Sequence, residues 1–186
     1  NILIDMEKST SRTVHAISKK EKICIFGDYD VDGATSTALL GNYFSELELN
    51  YEIYIPDRKK EGYGPTVTSF QKLIQKGVSI IFTVDCGTLS FDAINYGMDN
   101  KVDVIVLDHH QSEVNLTSSF SIINPNRLDD NSNLQYLCAA GVTFMFLVGL
   151  NKSLRKKNWF TDNRIIEPNL LNCLDLVSLG TVCDVV

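Results

Sequence analysis

Three acidic strings close aliphatic runs in this chain: Ile25-Phe-Gly-Asp28-Tyr-Asp30-Val-Asp32-Gly33, Thr83-Val-Asp85-Cys-Gly87 and Leu107-Asp108-His109-His110. A fourth string, Leu179-Gly-Thr-Val-Cys-Asp184, lies at the end of the chain in similar style. Carboxylates packed this densely beside imidazoles repel each other unless a divalent cation neutralises them. The chemistry on offer is therefore metal-centred. Mixed oxygen and nitrogen donors suit Mn²⁺ or Mg²⁺ better than Ca²⁺, with zinc as a further option.

Spacing limits how these acids combine. In an extended strand Asp28 and Asp32 stand about 13 Å apart, so one ion does not hold all three aspartates of the first string. A bend at Gly33 is expected to bring Asp30 and Asp32 together at the strand end, with Asp28 deeper. Other uses of such strings fit poorly. A calcium loop opening at Asp28 needs a bidentate Glu at its twelfth position, which is Leu39. A phosphatase with an aspartyl nucleophile needs a later lysine and a paired acid after another strand, yet the paired Asp129-Asp130 falls in a loop. A receiver-like domain has no use for paired histidines. A lone strand-end aspartate such as Asp85 is most simply a helix N-cap, but four strings together, with Asp-His-His among them, favour ligation.

Composition bounds the answer further. The 186 residues are 44% apolar and 22% charged, enough for one buried core, and the domain is expected to run over 1–186. A net charge of −6 excludes a surface that grips nucleic acid by charge alone. Five scattered cysteines lack zinc-ribbon spacing and imply a reducing cytoplasmic setting. The apolar stretch around Leu137 to Leu150 is too short to span a bilayer, so no membrane association is expected. The chain starts without methionine and stops in an apolar run at Val186, so it is expected to be a fragment of a longer protein.

The elements that must position the acids read as an alternation. Helix is predicted from Lys8 to about Lys20, strand over Lys22 to Gly27, helix from Gly33 to about Leu47 and strand over Tyr51 to Pro56. Helix from Pro65 to Gly77, strand from Ser79 to Val84, helix from Leu89 to Met98 and strand from Asp103 to Leu107 follow. A further strand is expected over Ser121 to Asn124, a loop from Pro125 to Gln135, and helices from Leu137 to about Lys157 and from Leu170 to about Leu179. Such alternation predicts an α/β fold: an open, doubly wound, mainly parallel sheet with helices on both faces. Loops at the carboxyl ends of its strands converge on one crevice.

With its Asp-His-His string and the flanking Gly-Asp-Tyr-Asp-Val-Asp-Gly, Thr-Val-Asp-Cys-Gly and Leu-Gly-Thr-Val-Cys-Asp strings, the chain resembles the DHH phosphoesterase superfamily, and within it the exonucleases specific for single-stranded DNA. Supporting strings are Ile55-Pro-Asp-Arg-Lys-Lys-Glu-Gly-Tyr-Gly64, Ile123-Asn-Pro-Asn-Arg127 and Leu137-Cys-Ala-Ala-Gly-Val142. The resemblance implies a phosphodiesterase that uses one or two Mn²⁺ or Mg²⁺ ions and releases mononucleotides from the 5′ end of single-stranded DNA in repair and recombination. It implies Asp30, Asp32, Asp85, His109 and Asp184 as metal ligands, with Asp85 bridging. Asp28 and Asp108 would be supporting acids, and His110 would contact phosphate or orient its neighbour. Arg58, Lys59, Lys60 and Tyr63 belong to a loop that would meet the strand, Arg58 and Tyr63 foremost. A helicase and a single-strand-binding protein are the implied partners. Phe26 stands where many members carry a histidine four residues before Asp30, so one metal position lacks a nitrogen ligand. Further lobes would supply most of the grip on DNA. Rival readings are a small-substrate hydrolase of the same superfamily, acting on pyrophosphate, oligonucleotides or cyclic dinucleotides, and a non-catalytic nucleic-acid-binding module.

Overall fold

The computed structural model describes residues 3–186. Five short strands, β1 (Ile23–Phe26), β2 (Tyr51–Tyr54), β3 (Ile80–Val84), β4 (Asp103–Leu107) and β5 (Ser121–Ile123), form one sheet in the order β2-β1-β3-β4-β5. Every pairing is parallel. The central strands read as unbroken apolar runs because both faces are covered, and all residues of β1 and β3 are buried.

Alternate residues divide between two cores. Ile23, Ile25, Ile80, Phe82, Ile105 and Leu107 pack beneath α1 (Met6–Lys19), α2 (Val31–Glu46) and α5 (Ala139–Lys156). Cys24, Phe26, Ile81, Val104 and Val106 pack beneath α3 (Val67–Gln75) and α4 (Phe91–Asp99). Helices therefore cover both faces, as the alternation predicted. Each fully buried Leu, Ile or Phe contributes roughly 1.5–3 kcal/mol, so the two cores are what hold the strand ends in place. The strand order switches direction between β1 and β3, and the crevice outside their carboxyl ends is where open α/β sheets bind ligands.

Boundaries differ from the sequence reading where tertiary contacts intervene. α3 starts at Val67, two residues after Pro65, because Thr66 is the N-cap of a capping box with Ser69. α5 starts at Ala139 rather than Leu137, for a reason that belongs to the site. A short helix not expected from the pattern, α6 (Trp159–Asn163), follows a left-handed Asn158 and buries Phe160. The last helix, α7 (Leu174–Asp184), follows a 3-10 turn over Leu170–Cys173 and runs past the expected end at Leu179. Asp184 thus sits at a helix end rather than a strand end. The β-branched Thr181-Val-Cys stretch stays helical because α7 packs closely on α2 and α5.

Candidate metal centre

The first acidic string leaves β1 and enters α2 within four residues, which separates its aspartates. Asp28 is 1% exposed and accepts the Tyr29 N–H at 2.8 Å. Asp30 is the N-cap of α2 and accepts the Gly33 N–H at 2.8 Å. Asp32 lies in the first turn, and its two oxygens accept the backbone N–H groups of Ala139 at 2.6 Å and Ala140 at 2.8 Å. That carboxylate supplies the cap that α5 lacks locally and fixes where α5 begins. Gly33 is needed where it is: a Cβ there would lie 2.7–2.8 Å from the Cβ, Cα and carbonyl oxygen of Asp28.

Asp85 follows β3 with φ 59°, the left-handed region, which a non-glycine residue occupies at a cost of about 1–3 kcal/mol. Such strain is common where a side chain must be aimed. Here it turns a 2%-exposed carboxylate into the crevice. The neighbouring Asp108, after β4, accepts from the Thr88 N–H, the Thr88 hydroxyl, and the His109 and His110 N–H groups. It also pairs with the His110 imidazole, Nδ1 to Oδ1, at 2.7 Å.

Side chains from these loops and from α7 meet around His109. Its Nε2 lies 3.7 Å from Asp32 Oδ2, 3.4 Å from Asp85 Oδ1 and 3.6 Å from Asp184 Oδ2. Asp85 Oδ1, His109 Nε2 and Asp184 Oδ2 are buried and have no hydrogen-bond partner among the described residues. Donors each ~2.1 Å from a common hard ion lie ~3–4 Å apart, so this spacing fits a divalent cation. Ligand atoms fall into three overlapping groups, each within 4.8 Å: Asp28, Asp30 and Asp85; Asp32, His109 and Asp184; Asp85, His109 and His110. Asp30 and Asp32, expected side by side, go to different groups because the helix turn intervenes. Asp28 places a carboxylate oxygen within reach of those of Asp30 and Asp85. Asp85 stands between the groups.

The electrostatics agree with a site made to take positive charge. Burial, then the Asp32 and Asp30 charges, push the Asp85 carboxyl up to about 10. Burial and neighbouring acids also raise Asp28 and Asp184. Asp108 goes the other way. Burial alone would raise it, but the His110 hydrogen bond and charge and the Thr88 donors outweigh that and bring it to about 2. The same hydrogen bond raises His110.

Arg58 and Tyr63 occupy the rim. The exposed Arg58 guanidinium lies 4.7 Å from the ring centre of Tyr29, the residue between Asp28 and Asp30 in the chain. Tyr63 donates its hydroxyl to the Asp85 carbonyl at 3.2 Å and sets its ring edge-on to His110, 6.3 Å between centroids. Phe26 faces the other core, stacked on Tyr54 at 5.2 Å, so β1 sends no nitrogen donor to the Asp28, Asp30 and Asp85 group. The sequence reading assigned no role to Thr88, Asn124, Asn126 or Gly180. The Asn-Pro-Asn string was visible, but its contacts were not.

Residues 22–181 match the model of the DHH family, N-terminal domain. The single-stranded-DNA-specific exonuclease RecJ of Escherichia coli K12 is 37% identical over 185 residues, 99% of this chain and 32% of its own length. The protein of that name from Bacillus subtilis 168 is 34% identical over 181 residues, 97% of this chain and 21% of its own length. This chain therefore spans a third or less of these relatives. Among solved structures, an exonuclease RecJ bound to manganese superposes with a TM-score of 0.84 at 28% identity, covering 100% of this chain and 44% of that one. RecJ in complex with Mn²⁺ from Thermus thermophilus gives 0.78 at 25%, covering 100% of this chain and 25% of that one.

Proposed function

Because this chain belongs to the DHH family across residues 22–181, we propose that it is the catalytic domain of a phosphodiesterase that removes mononucleotides from the 5′ end of single-stranded DNA. The observation that carries the reading is the convergence of Asp85 Oδ1, His109 Nε2 and Asp184 Oδ2, three buried atoms from separate elements with no partner among the described residues. Asp28, Asp30 and Asp85 would hold one divalent ion, and Asp32, His109 and Asp184 another, Mn²⁺ or Mg²⁺ in kind. Bound ions would supply charge neutralisation at phosphorus and a more acidic solvent molecule for in-line attack.

The chain's own residues do the rest. Asp32 keeps its oxygen near His109 while anchored to the start of α5. His110, with Nδ1 engaged by Asp108, has Nε2 left, and as the imidazolium it would donate that Nε2–H to a phosphate oxygen. Tyr63 limits the swing of His110 through ring contact. Arg58, stacked on Tyr29, offers guanidinium N–H groups to an approaching phosphate at the rim. No side chain of the site is asked to attack phosphorus.

No helix of the described residues is long and apolar enough to cross a membrane. Action in the cytoplasm beside a helicase and a single-strand-binding protein is part of the proposal. The test uses the full-length protein with Mn²⁺ on a long 5′-phosphorylated strand, with pyrophosphate and a cyclic dinucleotide in parallel. Mononucleotides leaving the 5′ end, and none from the Asp85→Asn variant, are expected. Faster turnover of a small substrate, or release that survives in Asp85→Asn, overturns the reading.

A further inference from the structure

The Ile123-Asn-Pro-Asn-Arg127 string, delivered by the edge strand β5, makes contacts the proposed reaction does not yet use. Asn124 is fully buried, and its Nδ2 donates to Thr88 Oγ1 at 3.0 Å and to the His110 carbonyl at 2.9 Å. Asn126 donates its backbone N–H to Asn124 Oδ1 at 2.8 Å and its Nδ2 to the His109 carbonyl at 2.5 Å. One short string thus holds both histidine carbonyls. Thr88, 1% exposed, donates its hydroxyl proton to Asp108 Oδ2 at 2.6 Å.

The direction of every bond in this chain follows from chemistry. A backbone N–H can only donate, so Asn126 fixes Asn124 Oδ1 as acceptor and leaves Nδ2 as donor. Thr88 Oγ1 must then accept from Asn124, and its single proton is committed to Asp108. The Thr88 N–H and hydroxyl hold Asp108 Oδ2 and so aim Oδ1, already the acceptor of the His109 and His110 backbone N–H groups, at His110 Nδ1, from which it accepts. Neutral His110 is therefore held as the Nδ1–H tautomer, with Nε2 as its only free nitrogen.

We propose that Thr88 and Asn124 are positioning residues that act through Asp108 to fix the tautomer and ring orientation of His110 at the metal crevice. Neither touches the substrate. The inference deepens the proposed phosphodiesterase reading and rests on it for its kinetic consequence, whereas the tautomer itself stands without it.

The test takes the full-length protein with Thr88→Val, which keeps shape and deletes the hydroxyl, and Thr88→Ser, which restores it. With Mn²⁺ and a 5′-phosphorylated strand, Thr88→Val is expected to lower kcat about 10–100-fold, the range for losing an outer hydrogen-bond partner, with KM and Mn²⁺ affinity within about twofold. Thr88→Ser should recover most of the rate. Imidazole ¹⁵N spectra of the metal-free protein at alkaline pH are expected to show His110 as the Nδ1–H tautomer in wild type and Thr88→Ser, and a mixture in Thr88→Val. Thr88→Ala replaces Thr88→Val if the valine variant does not fold. An Nε2–H tautomer in wild type, an unchanged tautomer with unchanged kcat in Thr88→Val, or loss of Mn²⁺ affinity in step with kcat each overturns the proposal. A wild type that hydrolyses no phosphodiester defeats the functional reading, and the spectra then decide the positioning role alone.

Discussion

Asp32 accepts the backbone N–H of Ala139 at 2.6 Å across 107 residues of chain. One carboxylate therefore faces two tasks, holding the first turn of α5 and standing 3.7 Å from His109 Nε2. The position of Ala139 and the placement of a candidate ligand are one structural fact, which explains why the Leu137-Cys-Ala-Ala-Gly string accompanies the acidic ones.

Asp32→Asn should injure both tasks. An amide keeps one acceptor oxygen for Ala139 or Ala140 and turns its NH2 against the other N–H donor, and a hydrogen bond to a charged group is worth about 1.5–3 kcal/mol. Denaturant unfolding of the metal-free protein is expected to show a loss of about that size, with Mn²⁺ titration showing weaker binding. A variant as stable as wild type would refute the capping role.

Gly180→Ala tests the approach of α7. A Cβ at Gly180 would lie 2.8 Å from each of Asp32 Oδ1, Thr35 Oγ1 and Ala140 Cβ. Relief requires α7 to move off α2 and α5, carrying Asp184 away from His109. Overpacking of this kind costs about 1–3 kcal/mol, and hydrolysis should fall further than stability does. Thermal melts and rates measured side by side distinguish this from simple unfolding.

Asp85→Asn should separate stability from activity. The carboxyl is raised to about 10 from an ordinary 3.8, so ionisation is disfavoured in the folded, metal-free state. Its contribution is fullest below the unfolded value and is lost as pH rises toward the folded one. Asparagine tolerates the left-handed backbone and carries no charge. In chelator at neutral pH the variant is expected to melt higher than wild type, by about 2–4 °C for each kcal/mol recovered, while hydrolysis is abolished. A lower melting temperature would contradict the raised Asp85 value.

Metal uptake should release protons. Ligation needs the ionised carboxylate, whereas metal-free Asp85 is protonated at neutral pH. Mn²⁺ affinity is expected to rise from about neutral pH toward the raised Asp85 value, and calorimetry in buffers of different ionisation enthalpy should report net proton release. Uptake without it would contradict the raised Asp85.

Much of this was legible in the chain. The apolar runs Ile23–Phe26 and Ile80–Val84 mark strands by their length and flanks, and the alternation with helices limits the sheet to a parallel one. The end of α7 was not legible, because Thr181-Val-Cys has the composition of a strand and only packing on α2 and α5 keeps it helical. Nor was the division of Asp30 from Asp32, since a helix turn rather than an extended chain separates them.

By itself the sequence determined which groups were present, acids and imidazoles at the ends of apolar segments, because hydrophobic periodicity is a local property. Tertiary structure alone decided which of them meet. The meeting of Asp32, His109 and Asp184 depends on contacts between segments more than seventy residues apart, and no local pattern encodes the distance between them.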